Sequence, residues 1–246
     1  MKVKNILISI AIILLVILIE FLAYGYYLKT EEVIQNPIVT MEIEEFGTVQ
    51  IELYPDKAPN TVANFIKLVN DGYYNGLTFH RVLPDILIQG GDINGDGSGS
   101  TDFTIPGEFI ANGYKENNLR HEAGTISMAR SDYSQFSSAL LEQSFNSAGA
   151  QFFITLTNTA EFDGSYAAFG KVISGLDIIE EISNLEVVTT ESGETGKNKP
   201  KNPPVIKSMT VNTFGVDYGE PTRLEPFDFN EWYSSLYGGS FETVVE

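Results

Sequence analysis

FHRVLPDILIQGGD, residues 79–92, decides how this chain is read. It places Arg81 two residues past Phe79, then a run of apolar side chains, then Gln89 and the Gly90-Gly91 pair. Three further blocks follow in order: SMARS (Ser127 to Ser131), AQFFI (Ala150 to Ile154) and EFDGSYAAFGKV (Glu161 to Val172). Upstream, TMEIEEF and TVQIELY alternate apolar and polar residues on either side of Gly47, which predicts a β-hairpin. PDKAPNTVANFIKLVNDGYY predicts a helix, with Pro59 near its start, Val62, Phe65, Ile66 and Val69 on one face, and Gly72 as a left-handed end. Downstream come a second helical stretch (Leu176 to Leu185), a turn-rich loop (Glu191 to Pro204) and a last alternating strand in VIKSMTVNTF. Many short strands with two helices predict an all-β fold, a closed antiparallel barrel plugged by helices at its ends.

Composition narrows the function. The chain has 246 residues, 43% hydrophobic and 12% aromatic, enough to fill a sizeable core. Its 33 acidic against 15 basic side chains give a net charge of −18, which repels phosphate backbones and argues against nucleic-acid partners. Cysteine is absent, which excludes thiol catalysis, disulfides, a cysteine-rich zinc site and a lipid-attachment cysteine.

The two ends differ from the middle. Residues 6–19, ILISIAIILLVILI, are apolar apart from one serine and follow Lys2 and Lys4. Counted through Tyr27 the segment reaches spanning length, and the tyrosines suit an interfacial belt. The expectation is a single-pass anchor over 6–27, with 1–5 inside and a linker over 28–37; a cleaved signal peptide is the alternative. Either way the domain works beyond the cytoplasmic membrane. Residues 215–246 carry seven acidic residues against Arg223, with Phe227, Phe229, Trp232, Tyr233, Tyr237 and Phe241 among them. Such a stretch is too aromatic for an ordinary solvated arm; the alternatives are that it packs back on the barrel, docks a partner or stays disordered.

Taken together, the four blocks resemble the cyclophilin family of peptidyl-prolyl cis-trans isomerases. The resemblance implies an eight-stranded barrel over residues 38–214 and catalysis of rotation about X–Pro bonds. That reaction needs no nucleophile, metal, cofactor or proton transfer. It needs an apolar pocket for the proline ring, a cation or donor at the twisted amide, and groups that hold the flanking backbone. By resemblance Arg81 is the catalytic side chain, and Phe153 is the pocket floor. Ile86 and Leu87 stand where the family most often has Phe and Met. Phe162 falls on an apolar pocket position, Tyr166 on one usually filled by histidine, and Gln89 and Gln151 match two glutamines that hold substrate backbone.

Several residues depart from the family pattern. Arg130 replaces an asparagine whose backbone contacts substrate, and Ser131 replaces a small apolar residue; Ala129 and Arg130 remain binding candidates through their backbones. Glu161 replaces a tryptophan common in eukaryotic members, which weighs against cyclosporin binding. Residues 132–147, DYSQFSSALLEQSFNS, form an insertion in which ALLEQSF suits a helical turn beside the groove. Asp92, Asn94, Asp96 and Gly97 copy half of a calcium loop, but Phe103 stands where its closing glutamate belongs. His80 and His121 are too few for a catalytic zinc site, and His80 is expected on a strand, directed away from substrate. The expected partners are proline-containing polypeptides and, through the first helix, the membrane. A scaffold with weak catalysis is the alternative function.

Overall fold

The computed structural model describes residues 2–30, 35–188 and 198–238. It divides into two units, Met1–Gln35 and Asn36–Glu246. The first is one helix, α1 (Lys2–Thr30), in which Val3–Gly25 is long and apolar enough to cross a membrane or to act as a signal sequence. At 1.5 Å per residue those 23 residues run roughly 35 Å, beyond the ~30 Å of a hydrocarbon core.

In the second unit the expected hairpin forms from β1 (Ile38–Ile43) and β2 (Gly47–Leu53), with Ile43 facing Gly47. Alternation sends Val39, Met41, Val49, Ile51 and Leu53 into the core. The remaining strands are β3 (Arg81–Leu83), β4 (Leu87–Gly90), β5 (Thr125–Met128), β6 (Phe152–Thr155), β7 (Ala168–Ser174) and β8 (Ile206–Asn212). They build one antiparallel sheet in the order β3-β4-β6-β5-β7-β2-β1-β8.

That sheet is open and curled, not the closed barrel expected. Among the described residues no ladder joins the edge strands β3 and β8. Single backbone bonds bridge the gap: Phe79 N–H to Pro204 O (3.0 Å), Val82 N–H to Asn198 O (2.8 Å) and Ile206 N–H to Leu77 O (2.8 Å). The reason lies in the approach to β8, where Pro200, Pro203 and Pro204 have no N–H to give a closing ladder. Part of the preceding loop, 189–197, lies outside the described residues.

The second unit has four α-helices among its described residues, against two expected. Helix α2 (Pro59–Asn70) ends as anticipated: Gly72 (φ +71°) donates to Val69 O and Tyr73 to Leu68 O, a Schellman closure. Its start has no local side-chain cap. Glu108 supplies one from a distance, accepting from Asn60 N–H, Thr61 N–H and the Thr61 hydroxyl at 3.0, 2.7 and 2.7 Å. Phe65 then packs into the core against Tyr74, Phe152 and Phe169, with ring centroids 5.1, 5.7 and 5.0 Å away. The short α3 (Leu141–Phe145) lies in the insertion where a helical turn was expected, and α4 (Leu176–Ser183) follows β7 as anticipated. The unexpected helix is α5 (Phe229–Tyr237), in the tail and capped by Asp228, whose Oδ1 accepts from Glu231 N–H at 2.8 Å. Phe241 lies outside the described residues.

Candidate active site

Strand register lines up the predicted residues. Arg81 pairs with Gln89, Gln89 with Phe153, and Phe153 with Ser127, in one row across β3, β4, β6 and β5. Directly paired residues of antiparallel strands share a face. The neighbouring row, Val82, Ile88, Ile154 and Ile126, is fully buried in the main core. The Arg81–Ser127 row therefore occupies the opposite face, and Phe153 and Leu87 are buried without joining that core.

A chain of hydrogen bonds runs along this face. Arg81 Nη1–H donates to Gln89 Oε1 (3.0 Å), and Gln89 Nε2–H to Gln151 Oε1 (2.9 Å). Gln151 Nε2–H donates in turn to Gly97 O (3.1 Å) and Gly99 O (2.7 Å). Arg81 is exposed but leans along the row toward Phe153, because its partner Gln89 sits one strand nearer that ring. With five N–H donors in a rigid fork, the guanidinium keeps others for a ligand.

Phe153, Phe162 and Tyr166 form a ring cluster with centroids 5.5, 5.5 and 5.2 Å apart. Phe162 and Tyr166 are only half-buried, so the cluster keeps an outer apolar surface. Leu87 lies on the same face. Ile86 stands apart: it belongs to the turn before β4, next to Asp85 at φ +59°, and is 40% exposed. Ala129 is fixed by its N–H to Gln151 O (2.9 Å). The Arg130 side chain is held elsewhere, its guanidinium over Tyr166, Phe145 and Phe109 at 4.6, 5.3 and 5.8 Å and its Nε–H on Ser165 O at 3.2 Å.

Spacing missed the support under Phe153. His121 is wholly buried and stacks on that ring at 5.9 Å. Its Nδ1 lies 3.1 Å from Asp163 Oδ1 and its Nε2 3.1 Å from Ser127 Oγ. Burial pushes the imidazole below its ordinary pKa, against the pull of Asp163. The neutral ring therefore donates Nδ1–H to the carboxylate and accepts the Ser127 hydroxyl at Nε2. The sequence alone offers this histidine only as a candidate metal ligand. His80 immediately precedes β3 and is also buried, and burial lowers its pKa too.

The half calcium loop has a structural use. Asp92 Oδ1 accepts from Asn94 N–H, and Oδ2 from the N–H groups of Asp96 and Gly97. The Gly90-Gly91 pair answers a close approach: Gly91 has φ +82°, and a Cβ there would lie 2.6 Å from Ala150 O.

Comparison with known proteins agrees with this geometry. Residues 38–211 match the family model for cyclophilin type peptidyl-prolyl cis-trans isomerases. The chain is 40% identical over 146 residues to peptidyl-prolyl cis-trans isomerase B of Bacillus subtilis, covering 59% of this chain and 90% of that one. It is 37% identical over 153 residues to a peptidyl-prolyl cis-trans isomerase of Synechococcus elongatus, covering 59% and 92%. Among solved structures, a Cryptosporidium parvum cyclophilin type isomerase, crystallised in the presence of the dipeptide Ala-Pro, superposes with a TM-score of 0.57. The identity is 27%, over 71% of this chain and 98% of that one. By that match, and with the same curled sheet, this chain belongs to the cyclophilin-type peptidyl-prolyl cis-trans isomerases.

Proposed function

We propose that this isomerase acts on proline-containing segments of exported proteins at the outer face of the cytoplasmic membrane, with Arg81 as its catalytic side chain. In this reading residues 6–27 are the anchor, 28–37 the linker, 38–214 the catalytic domain and 215–246 an appended tail. The hydrogen-bonded line from Arg81 through Gln89 to Gln151, on the same face as Phe153, carries the assignment of the site. A proline-containing ligand is also supported by the Ala-Pro dipeptide present with the Cryptosporidium relative.

Rotation about the peptide C–N bond faces a barrier of about 18–20 kcal/mol, set by amide resonance. For X–Pro the isomers are close in energy but exchange over tens to hundreds of seconds. At the twisted geometry resonance is lost, and the proline nitrogen becomes pyramidal and basic. The outer surface of Phe153, Phe162, Tyr166 and Leu87 takes the pyrrolidine ring, with Ile86 at its edge. Gln89, Gln151 and the backbone of Ala129 and Arg130 hold the flanking chain. Arg81 then donates to the twisted amide, more strongly than to the planar one. A hydrogen bond to a charged group contributes about 1.5–3 kcal/mol, and each ~1.4 kcal/mol is tenfold in rate.

Exchange spectroscopy on a proline peptide, with the full chain in detergent micelles, tests the site. Arg81→Ala should lower kcat/KM by roughly one to two orders of magnitude, and Arg81→Lys should recover only part because an ammonium lacks the planar fork. An unchanged rate in Arg81→Ala removes the proposed role. Protease digestion of intact and permeabilised cells tests placement: the domain should be cut in both.

A further inference from the structure

Beyond the family match, which ends at residue 211, the chain returns to the domain as a strap. Thr222 N–H donates to Asn60 Oδ1 at 2.6 Å, and Asn60 Nδ2–H donates back to Thr222 O at 3.1 Å. The Arg223 guanidinium lies 3.9 Å from the centre of the Phe103 ring. Leu224 and Thr104 exchange two backbone bonds, at 2.8 and 2.9 Å. These ties carry the tail to the insertion, where Phe229 meets Tyr133 at 5.7 Å and Phe136 at 4.6 Å. Along α5 the rings continue, with Trp232 5.5 Å from Phe229 and Tyr237 4.7 Å from Tyr233.

This row of rings does not close into a core. Leu141 of α3 and Leu236 and Tyr237 of α5 are 45, 58 and 68% exposed. The charge around them has one sign. Residues 131–147 and 224–238 carry Asp132, Glu142, Glu225, Asp228 and Glu231, and neither stretch has a lysine or arginine. Asp132 and Asp228 cap local turns. Among the described residues, no hydrogen bond or ion pair occupies the side chains of Glu142, Glu225 and Glu231. Ring faces and carboxylates both attract cations, and lysine or arginine offers an apolar stem with a charged head.

We infer that α5 and the insertion form a docking surface for a lysine- or arginine-rich, extended segment of the same polypeptide whose proline is isomerised. This rests on Gln89 and Gln151 holding the substrate backbone. Tyr133 and Phe227, whose rings lie 5.2 Å apart, stand at the foot of the platform and also border the hollow beside those glutamines. A chain held at the glutamines therefore reaches the rings without a break. The stems lie against the rings, and the charged heads stay beside the carboxylates. A second attachment makes encounter with the site intramolecular, which lowers KM and leaves the bond rotation itself unaltered.

Trp232 is the only tryptophan of the chain, so its fluorescence reads this surface directly. With the full chain in uncharged detergent micelles, a proline-free peptide of alternating lysine and serine should change that emission and saturate. Glutamate–serine and all-serine peptides should leave it unchanged. Replacing Glu225→Gln and Glu231→Gln together should weaken binding by roughly threefold or more at low salt. The α5 cap uses the Glu231 N–H and not its carboxylate, so the helix keeps its start. Tyr237→Ala should weaken binding by about twofold to fivefold. In catalysis, a proline peptide joined to the lysine segment should show a lower KM than one joined to serine, at equal kcat. Both variants should shrink that difference and leave a short proline peptide unaffected. Absence of a saturable signal, an equal response to the all-serine peptide, or emission that shifts on protein dilution alone, as a second copy seated there would give, overturns the inference. Binding without the KM difference assigns the surface to a separate partner and overturns it too. Failure of the underlying site reading shows separately, as full activity in Arg81→Ala, and leaves the Trp232 titration untouched.

Discussion

The Arg130 guanidinium lies between Tyr166 of the ring cluster and Phe145 of the insertion, at 4.6 and 5.3 Å. One cation thus couples the ring cluster around Phe153 to a segment outside the sheet. Such contacts contribute about 0.5–2 kcal/mol each, more when desolvated. Arg130→Ala should therefore raise KM by roughly tenfold and alter kcat less, as steady-state kinetics on one peptide would show. The two histidines act on stability instead. Burial lowers the pKa of both His80 and His121 in the folded protein. Stability is therefore full above the unfolded value of ~6.5 and falls as pH drops below it toward the folded values, because the unfolded chain binds the extra protons. Urea titrations between about pH 7.5 and 5.5 should show this loss, and His121→Gln should flatten part of the slope. A pH-independent midpoint over that interval would contradict it.

Among the elements, α2 is the clearest case of a helix that sequence locates but does not fully explain. Its apolar face and Gly72 are visible in the spacing, while its start depends on Glu108, brought 47 residues along the chain to Thr61. Glu108→Ala leaves those N–H groups uncapped and should cost about 2 kcal/mol, read as a lower denaturant midpoint at unchanged slope. The hairpin and the last strand were legible for the same reason as α2, since a period of two or 3.6 is written locally. The open edge was not: it follows from prolines that face β3 only after the sheet has curled. Helix α5 did carry a local signal, Asp228 followed by Glu231, inside a stretch read only for its charge and aromatics. The row from Arg81 to Ser127 was legible because motif residues fall on paired positions. His121, Asp163 and Ser127 were not, because they converge from three separate segments. Gly91→Ala should be more disruptive than a surface change, since it adds both a clash with Ala150 O and a strained φ; poor soluble yield with a lowered melting temperature would register it.

At the scale of the molecule, charge separates site from surroundings. The net charge is −18, yet two cations, Arg81 on Gln89 and Arg130 over Tyr166, stand beside the Phe153 cluster. A net charge of that sign favours encounter with cationic peptides, and salt screens it beyond ~8 Å at physiological strength. Lysine-bearing proline peptides should lose kcat/KM on adding salt, while neutral ones stay nearly constant. An equal salt response of the two would show that the field plays no part in encounter.

The strand order carries a consequence for biogenesis. β1 lies between β2 and β8, and Ile38 pairs with Asn212. The first strand made must wait for the last before gaining its second neighbour. At about 5–20 residues per second, a ribosome needs roughly 10–35 s to travel from one to the other. Throughout that interval the nascent polypeptide lacks its finished sheet, and one side of its opening strand stays unmatched.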